Sequence, residues 1–247
     1  MEAYGLKVPI GTVVSKHFET SNGYRLETRV MLLTNDGWRA YTYIWRSDQA
    51  DADLNLTGAT LAAPPGSGTT EPHIVPSETE CFACHRTTNN HLLGVSLPQW
   101  DAAQRARFIQ MGLLPASANA VGMPSSLADP GDMTATPEER AHGFLAANCS
   151  SCHRPDTGLA GFDLRATTPL ANANIIGITA NSGSLVGLPG ASLVAPGDPN
   201  NSVFLHRAFN RDATRMPPAP ALPAGVPLGP SPSIDGLEAV RAWISGL

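Results

Sequence analysis

The sequence predicts an α+β fold, with a small antiparallel β-region at the N-terminus followed by two mainly α-helical domains. Three observations predict it. Residues 8–62 read as strand and turn, and helix-start signals replace that pattern further along. Two five-residue motifs, Cys81-Phe-Ala-Cys84-His85 and Cys149-Ser-Ser-Cys152-His153, each follow a capping signal. The C-terminus carries an amphipathic stretch with Leu237, Val240, Trp243 and Ile244 on one face. These features divide the chain into residues 1–75, 76–135 and 136–247.

Within the first segment, Gly11–Phe18 is rich in Val and Thr. Over Tyr24–Leu33, Tyr24, Leu26, Thr28, Val30 and Leu32 alternate with Arg25, Glu27 and Arg29, the two faces of one strand. Asn35-Asp36-Gly37 is a hairpin signal leading into Trp38–Trp45. That strand carries Trp38, Tyr41, Tyr43 and Trp45, which are expected to form the core of the small sheet because large aromatics dominate burial in small domains. Ala63–Thr70 reads as a linker.

Ser77-Glu-Thr-Glu80 has capping-box spacing, so a helix starts there and delivers Cys81, Cys84 and His85 on its first turns. This entry is short, so the segment is expected to use the β-region as a wall. Pro98–Met111 is the next helix, with Trp100, Phe108 and Met111 as apolar anchors and Gly112 as its stop. Thr136-Pro-Glu-Glu139 opens another, with Pro at the first helical position, running through Gly143 and Phe144 into Cys149.

The motifs carry the chemistry. C-x-x-C-H is the attachment signature of c-type haem. Two thiols three positions apart on a helical turn reach the two vinyl groups of one porphyrin, and the following His faces the iron. The four cysteines Cys81, Cys84, Cys149 and Cys152 are all used, so two covalently bound haem c groups are expected, with His85 and His153 as proximal ligands. A zinc ribbon needs no His after each pair, and the pairs stand far apart for one. Disulfides or a thioredoxin-like redox site would also use paired cysteines, but no βαβ unit surrounds either pair.

For the second iron, Met216 in Arg215-Met-Pro-Pro218 is the expected sixth ligand, since prolines restrict the loop that holds the thioether. For the first iron, Met123-Pro124 sits in a similar Pro/Gly/Ser context. His17, His73, Met31 or an open site could stand in its place. Met111 is expected in the core, His91 lies too close to His85 to reach the opposite face, and His142 and His206 read as surface or helix-end residues. Arg154, Arg165, Arg207 and Arg215 are candidate propionate partners.

A net charge of −5 gives no electrostatic case for nucleic acid. Lys7 and Lys16 are the only lysines among 16 basic residues, so a lysine-ringed docking face is not expected. No run of about 18 apolar residues suggests a membrane span. Covalent haem attachment is an exported-protein chemistry, so a periplasmic or cell-surface location is expected. A signal sequence or lipid anchor is then expected to be missing from this chain.

The ordered run Gly11-Thr-Val, Lys16-x-Phe18, Glu27-Thr-Arg29, Gly37-Trp38, Tyr43-x-Trp45 and Val75-Pro-Ser77 resembles a family of bacterial dihaem c-type cytochromes, many of them exported lipoproteins. Leu93-Gly94, Asn148 through Pro155, Asp163-Leu-Arg165, Pro196-Gly-Asp-Pro199 and Met216-Pro-Pro218 are similar to its later landmarks. The likeness runs from about Val8 onward, although His73 stands where the resemblance leads one to expect an aromatic residue. Gly143-Phe144 ahead of the second motif, together with the C-terminal helix, is similar to a class I cytochrome c domain, whose two helices cross closely. The resemblance implies electron transfer between redox protein partners rather than enzyme catalysis. A dihaem peroxidase is the competing enzymatic reading. A haem-bearing subunit whose β-region binds a ligand or partner is the competing binding-module reading.

Overall fold

The structure, a computed structural model, describes residues 8–20, 22–63, 72–86, 92–93, 96–119, 126–157, 159, 161–210, 214–218 and 234–247. It divides into two compact units, one built on Val8–Arg86 and one on Thr87–Pro218 with Ser231–Leu247.

In the first unit, β1 (Val13–Glu19), β2 (Arg25–Thr34), β3 (Gly37–Trp45) and β4 (Ala52–Asn55) form an antiparallel sheet in chain order. Thr34 pairs with Gly37 across a two-residue turn, and Gly37 has φ +107, a conformation that favours glycine. A second, two-stranded sheet joins β5 (Ala59–Leu61) to β6 (His73–Val75). Helix α1 (Glu78–Cys84) follows, its start set by the reciprocal Ser77–Glu80 box. Glu78 accepts from Arg39 Nε at 2.7 Å and Nη2 at 3.1 Å and from the Ala40 N–H at 3.3 Å, which ties α1 to β3.

The aromatic core expected on β3 is not what the sheet buries. Trp38, Tyr41, Tyr43 and Trp45 are only half-buried. The buried positions on β2 and β3 are Glu27, Met31, Ala40 and Thr42. Small side chains at Ala40 and Thr42 let α1 approach that side, whereas a row of indoles and phenols would hold a helix away.

The second unit contains α2 (Ala102–Gln110), α3 (Pro137–Asn148), α4 (Val203–Phe209) and α5 (Ile234–Ser245). The Asp101–Gln104 and Thr136–Glu139 boxes start α2 and α3. Gly112, φ +71, follows α2. Trp100 and Phe108 pack with centroids 4.7 Å apart, but Met111 is 59% exposed and no core residue. The core joins Phe144 and Leu145 of α3 to Leu237, Val240, Trp243 and Ile244 of α5. Leu164, Leu170, Ile175 and Val194 complete it from segments outside the α-helices.

The expectation of two mainly α-helical haem domains, the second like class I cytochrome c, is therefore corrected. Among the described residues the structure has a four-stranded and a two-stranded antiparallel sheet with five α-helices, and the first motif's helix belongs to the unit of strands. Between α3 and α4 the chain makes short 3-10 turns at Pro155–Thr157, Leu170–Asn172, Gly183–Val186 and Pro199–Asn201. Prolines and glycines there stop helices from extending, and the buried apolar residues follow no helical period.

Two glycines show how closely the second unit packs. A Cβ on Gly143 would lie 2.3 Å from the Ala128 carbonyl oxygen, so this residue admits backbone rather than α5. A Cβ on Gly236 would lie 2.1 Å from the Phe144 ring. Phe144 is 5% exposed and has no room to retreat. Gly236→Ala is therefore expected to lower stability by about 1–3 kcal/mol through overpacking. Denaturant unfolding measures it, and an unchanged midpoint would show that α3 and α5 are not in this contact.

Candidate metal centres

Helix α1 ends on the first motif. Ser77 caps it, the Cys81 N–H donates to the Ser77 carbonyl, and the His85 N–H donates to the Cys81 carbonyl at 2.9 Å. Cys81, Cys84 and His85 are all half-buried. Burial raises the Cys81 thiol above its ordinary value, with the nearby Arg29 pulling down and Glu27 and Glu80 pushing up.

That electrostatic neighbourhood is a buried cluster that pattern reading missed. Glu27 on β2 is fully buried, and its Oε1 takes hydrogen bonds from His73 Nε2 at 2.7 Å and Arg29 Nη2 at 2.5 Å. Arg29 also reaches the Ile74 carbonyl and lies over the Phe18 ring, which in turn packs against His73. Burial pushes the Glu27 carboxyl up, but the hydrogen bonds from His73 and Arg29 outweigh this and hold it below the ordinary range. The sequence places Glu27 and Arg29 on one strand face, but nothing in it ties them to His73.

The second motif follows α3. Cys149 caps that helix, and the Cys152 and His153 N–H groups both donate to the Cys149 carbonyl. The His153 ring stacks on Phe162 with centroids 4.6 Å apart and planes 15° from parallel. Its Nδ1 is buried with no hydrogen-bond partner among the described residues. Burial, then the charge of Arg207, lowers the imidazole's proton affinity and keeps it neutral. Burial also pushes the Cys149 thiol up to about 12, with Cys152 adding to the shift.

These features fit a covalent haem better than a thiolate site. An imidazole nitrogen buried without a partner is costly unless it serves a metal or water. A thiol held protonated is a poor redox nucleophile, whereas a thioether sulfur carries no proton to lose. All four cysteines are unbridged. Among the described residues, no three His, Cys, Asp or Glu side chains converge on a metal-sized site.

Met216 is half-buried, and its N–H donates to the Arg207 carbonyl at 2.7 Å. Arg207, on α4, donates Nε to the Thr214 carbonyl, and its charge reaches His153. The Met216 loop is thus pinned to the residue whose guanidinium acts on the motif histidine. Arg165 is forked onto Asp163, Arg154 is paired with Asp156 at 3.0 Å, and Arg215 donates to the Pro217 carbonyl. Burial lowers the proton affinity of Arg207.

Met123 and His91 lie outside the described residues. Met31 is a buried core residue, His73 is engaged by Glu27, and His17 hydrogen-bonds Thr28. His142 meets the Arg165 carbonyl and His206 the Asn200 carbonyl. Among the described residues, no helix is long and apolar enough to cross a membrane. No protein-family model, curated protein or solved structure matches the chain.

The depressed Glu27 carboxyl gives a pH dependence with a definite sign. Its contribution is fully present above the unfolded value near ~4.3 and is lost as pH falls through the lower folded value. The first unit should therefore lose stability on acidification below about pH 4. Glu27→Gln should cost about 3–5 kcal/mol at neutral pH, because it strands the Arg29 charge beside a buried neutral amide. Denaturant unfolding across pH checks both, and equal stability of the variant would remove the buried ion pair from the account.

Proposed function

We propose that the chain is an exported dihaem c-type cytochrome, located in the periplasm or at the cell surface, that carries electrons between redox protein partners. The observation that carries this reading is the pair of C-x-x-C-H motifs, which use all four cysteines and whose sulfurs stand unbridged. The neutral imidazole of His153, stacked on Phe162, supports it at the second motif.

Bound at these positions, haem iron supplies a reversible one-electron change that makes and breaks no covalent bond. Cys81 and Cys84 would hold one group by thioether bonds, and Cys149 and Cys152 the other. His85 and His153 would each offer a neutral imidazole. Phe162 fixes the plane of the His153 ring by stacking on it and shields it from water. The backbone bond from Met216 to Arg207 holds the thioether loop in place. Met216 is the proposed sixth ligand at the second iron and Met123 at the first. Partner docking would be small and transient, as redox encounters usually are.

Protein made with export and haem-ligation machinery should exceed the polypeptide mass by two haems, and acid–acetone should extract neither. A gain of one haem, or a zinc signal in metal analysis, would overturn the reading. Met216→His should keep one low-spin centre while lowering its potential, because a thioether favours the reduced iron. Met216→Ala should instead open that centre to carbon monoxide or cyanide. Unchanged spectra and potentials in Met216→Ala would make Met216 a packing residue only.

A further inference from the structure

Met133 and Arg140 have no part in the function proposed above, yet they meet in a contact that leaves a buried charge poorly served. We propose that Met133 is an oxidation site at which a peroxide converts the thioether to a sulfoxide, and that Arg140 holds the new oxygen and so tightens the chain against the start of α3. The inference does not rest on haem attachment.

The two side chains are placed as a strong donor and a weak acceptor. Met133 is 78% exposed, so an oxidant in solvent reaches its sulfur. Arg140 lies in the first turn of α3 and is only 9% exposed. Its Nη1 stands 2.9 Å from Met133 Sδ and 3.2 Å from the Pro130 carbonyl oxygen. Its Nε is buried with no hydrogen-bond partner among the described residues. A buried guanidinium requires good acceptors, and a thioether is a weak one. The neighbouring carboxylates are committed elsewhere. Asp132 Oδ1 accepts from the Thr134 N–H at 2.9 Å and hydroxyl at 2.6 Å, and Glu139 Oε2 accepts from the Thr136 N–H and hydroxyl, each at 2.8 Å.

Oxidation supplies the missing acceptor. The sulfur attacks one oxygen of hydrogen peroxide, and an S–O bond forms as the O–O bond breaks. The proton on the transferred oxygen passes to the departing hydroxide, which leaves as water. Sulfur loses two electrons, the peroxide gains them, and no protein group is consumed. The product oxygen is polar where the thioether was not, and a hydrogen bond from a charged donor is about twice as strong as a neutral one.

Sulfoxide formation in a core is disruptive because it makes a buried apolar side chain polar. Met133 has little burial to lose, so the gained bond sets the sign. Met111 is 59% exposed, but no hydrogen bond to its sulfur is present among the described residues, so its oxidation gains no partner. The consequence falls on α3, the helix that ends where the second motif begins.

The test treats the full chain with hydrogen peroxide, maps each methionine by peptide mass spectrometry, and measures denaturant unfolding before and after. Met133 should gain one oxygen. The unfolding equilibrium of the wild type should shift toward the folded form by about tenfold relative to Met133→Leu treated in the same way. Reduction with both methionine sulfoxide reductases should reverse that difference, and Arg140→Gln should not show it. A wild-type shift equal to or below that of Met133→Leu overturns the proposal. So does a Met133 that stays unoxidised, or a full difference between Arg140→Gln with and without Met133→Leu. If Arg140→Gln does not fold, the comparison of wild type with Met133→Leu decides.

Discussion

The first unit depends on one buried carboxylate. Glu27 sits near the start of β2 with no solvent exposure and is held by His73 of β6 and Arg29 of its own strand. Removing an ion from water costs several kcal/mol, and only close partners offset it. The partners therefore have to be in place, which fixes β6 beside β2. Soon after β6 ends, Ser77 caps α1, and α1 carries Cys81 and Cys84. The position of the first motif follows from the electrostatics of a strand far upstream in the chain.

The two motifs are delivered by the same local device over different lengths. Each rests on a capping box, Ser77–Glu80 in one case and Thr136–Glu139 in the other. In α1 the cysteines lie inside a helix of 7 residues that gains little from its own propagation. Its stability comes from the cap and from Glu78 gripping Arg39 and the Ala40 N–H. In α3 the motif follows a helix of 12 residues whose buried face joins α5 in the main core. Electrostatics and capping hold the helix of the first motif, and apolar packing holds the helix before the second.

The second motif illustrates how a loop far along the chain is recruited. Arg207 acts on His153 through its charge and receives the Met216 N–H through its carbonyl. A single residue thereby relates the imidazole and the thioether, the two ligand types expected at that iron. Phe162 adds a flat wall against the ring. Phe162 does not stand out in the sequence, because an aromatic in a Gly-rich turn is ordinary in isolation, and Arg207 is legible there only as one of four candidate propionate partners, with nothing local to tie it to His153.

The sequence by itself determined what is local. The Cys and His spacing, the Ser77 and Thr136 caps, the Asn35-Asp36-Gly37 turn and the strands that flank it all follow from interactions within a few residues. Tertiary structure decided what those elements face. Alternation along β2 separates two faces, but only the arrival of α1 and β6 makes the Glu27–Met31 face the buried one. The side chains that fill the second core from 3-10 turns, such as Leu170, carry no period to read. The helical domains expected after the β-region gave way to turns because their core is built from positions distant in sequence. The Glu27–His73 pair joins residues 46 positions apart, and no local pattern encodes a partner at that distance.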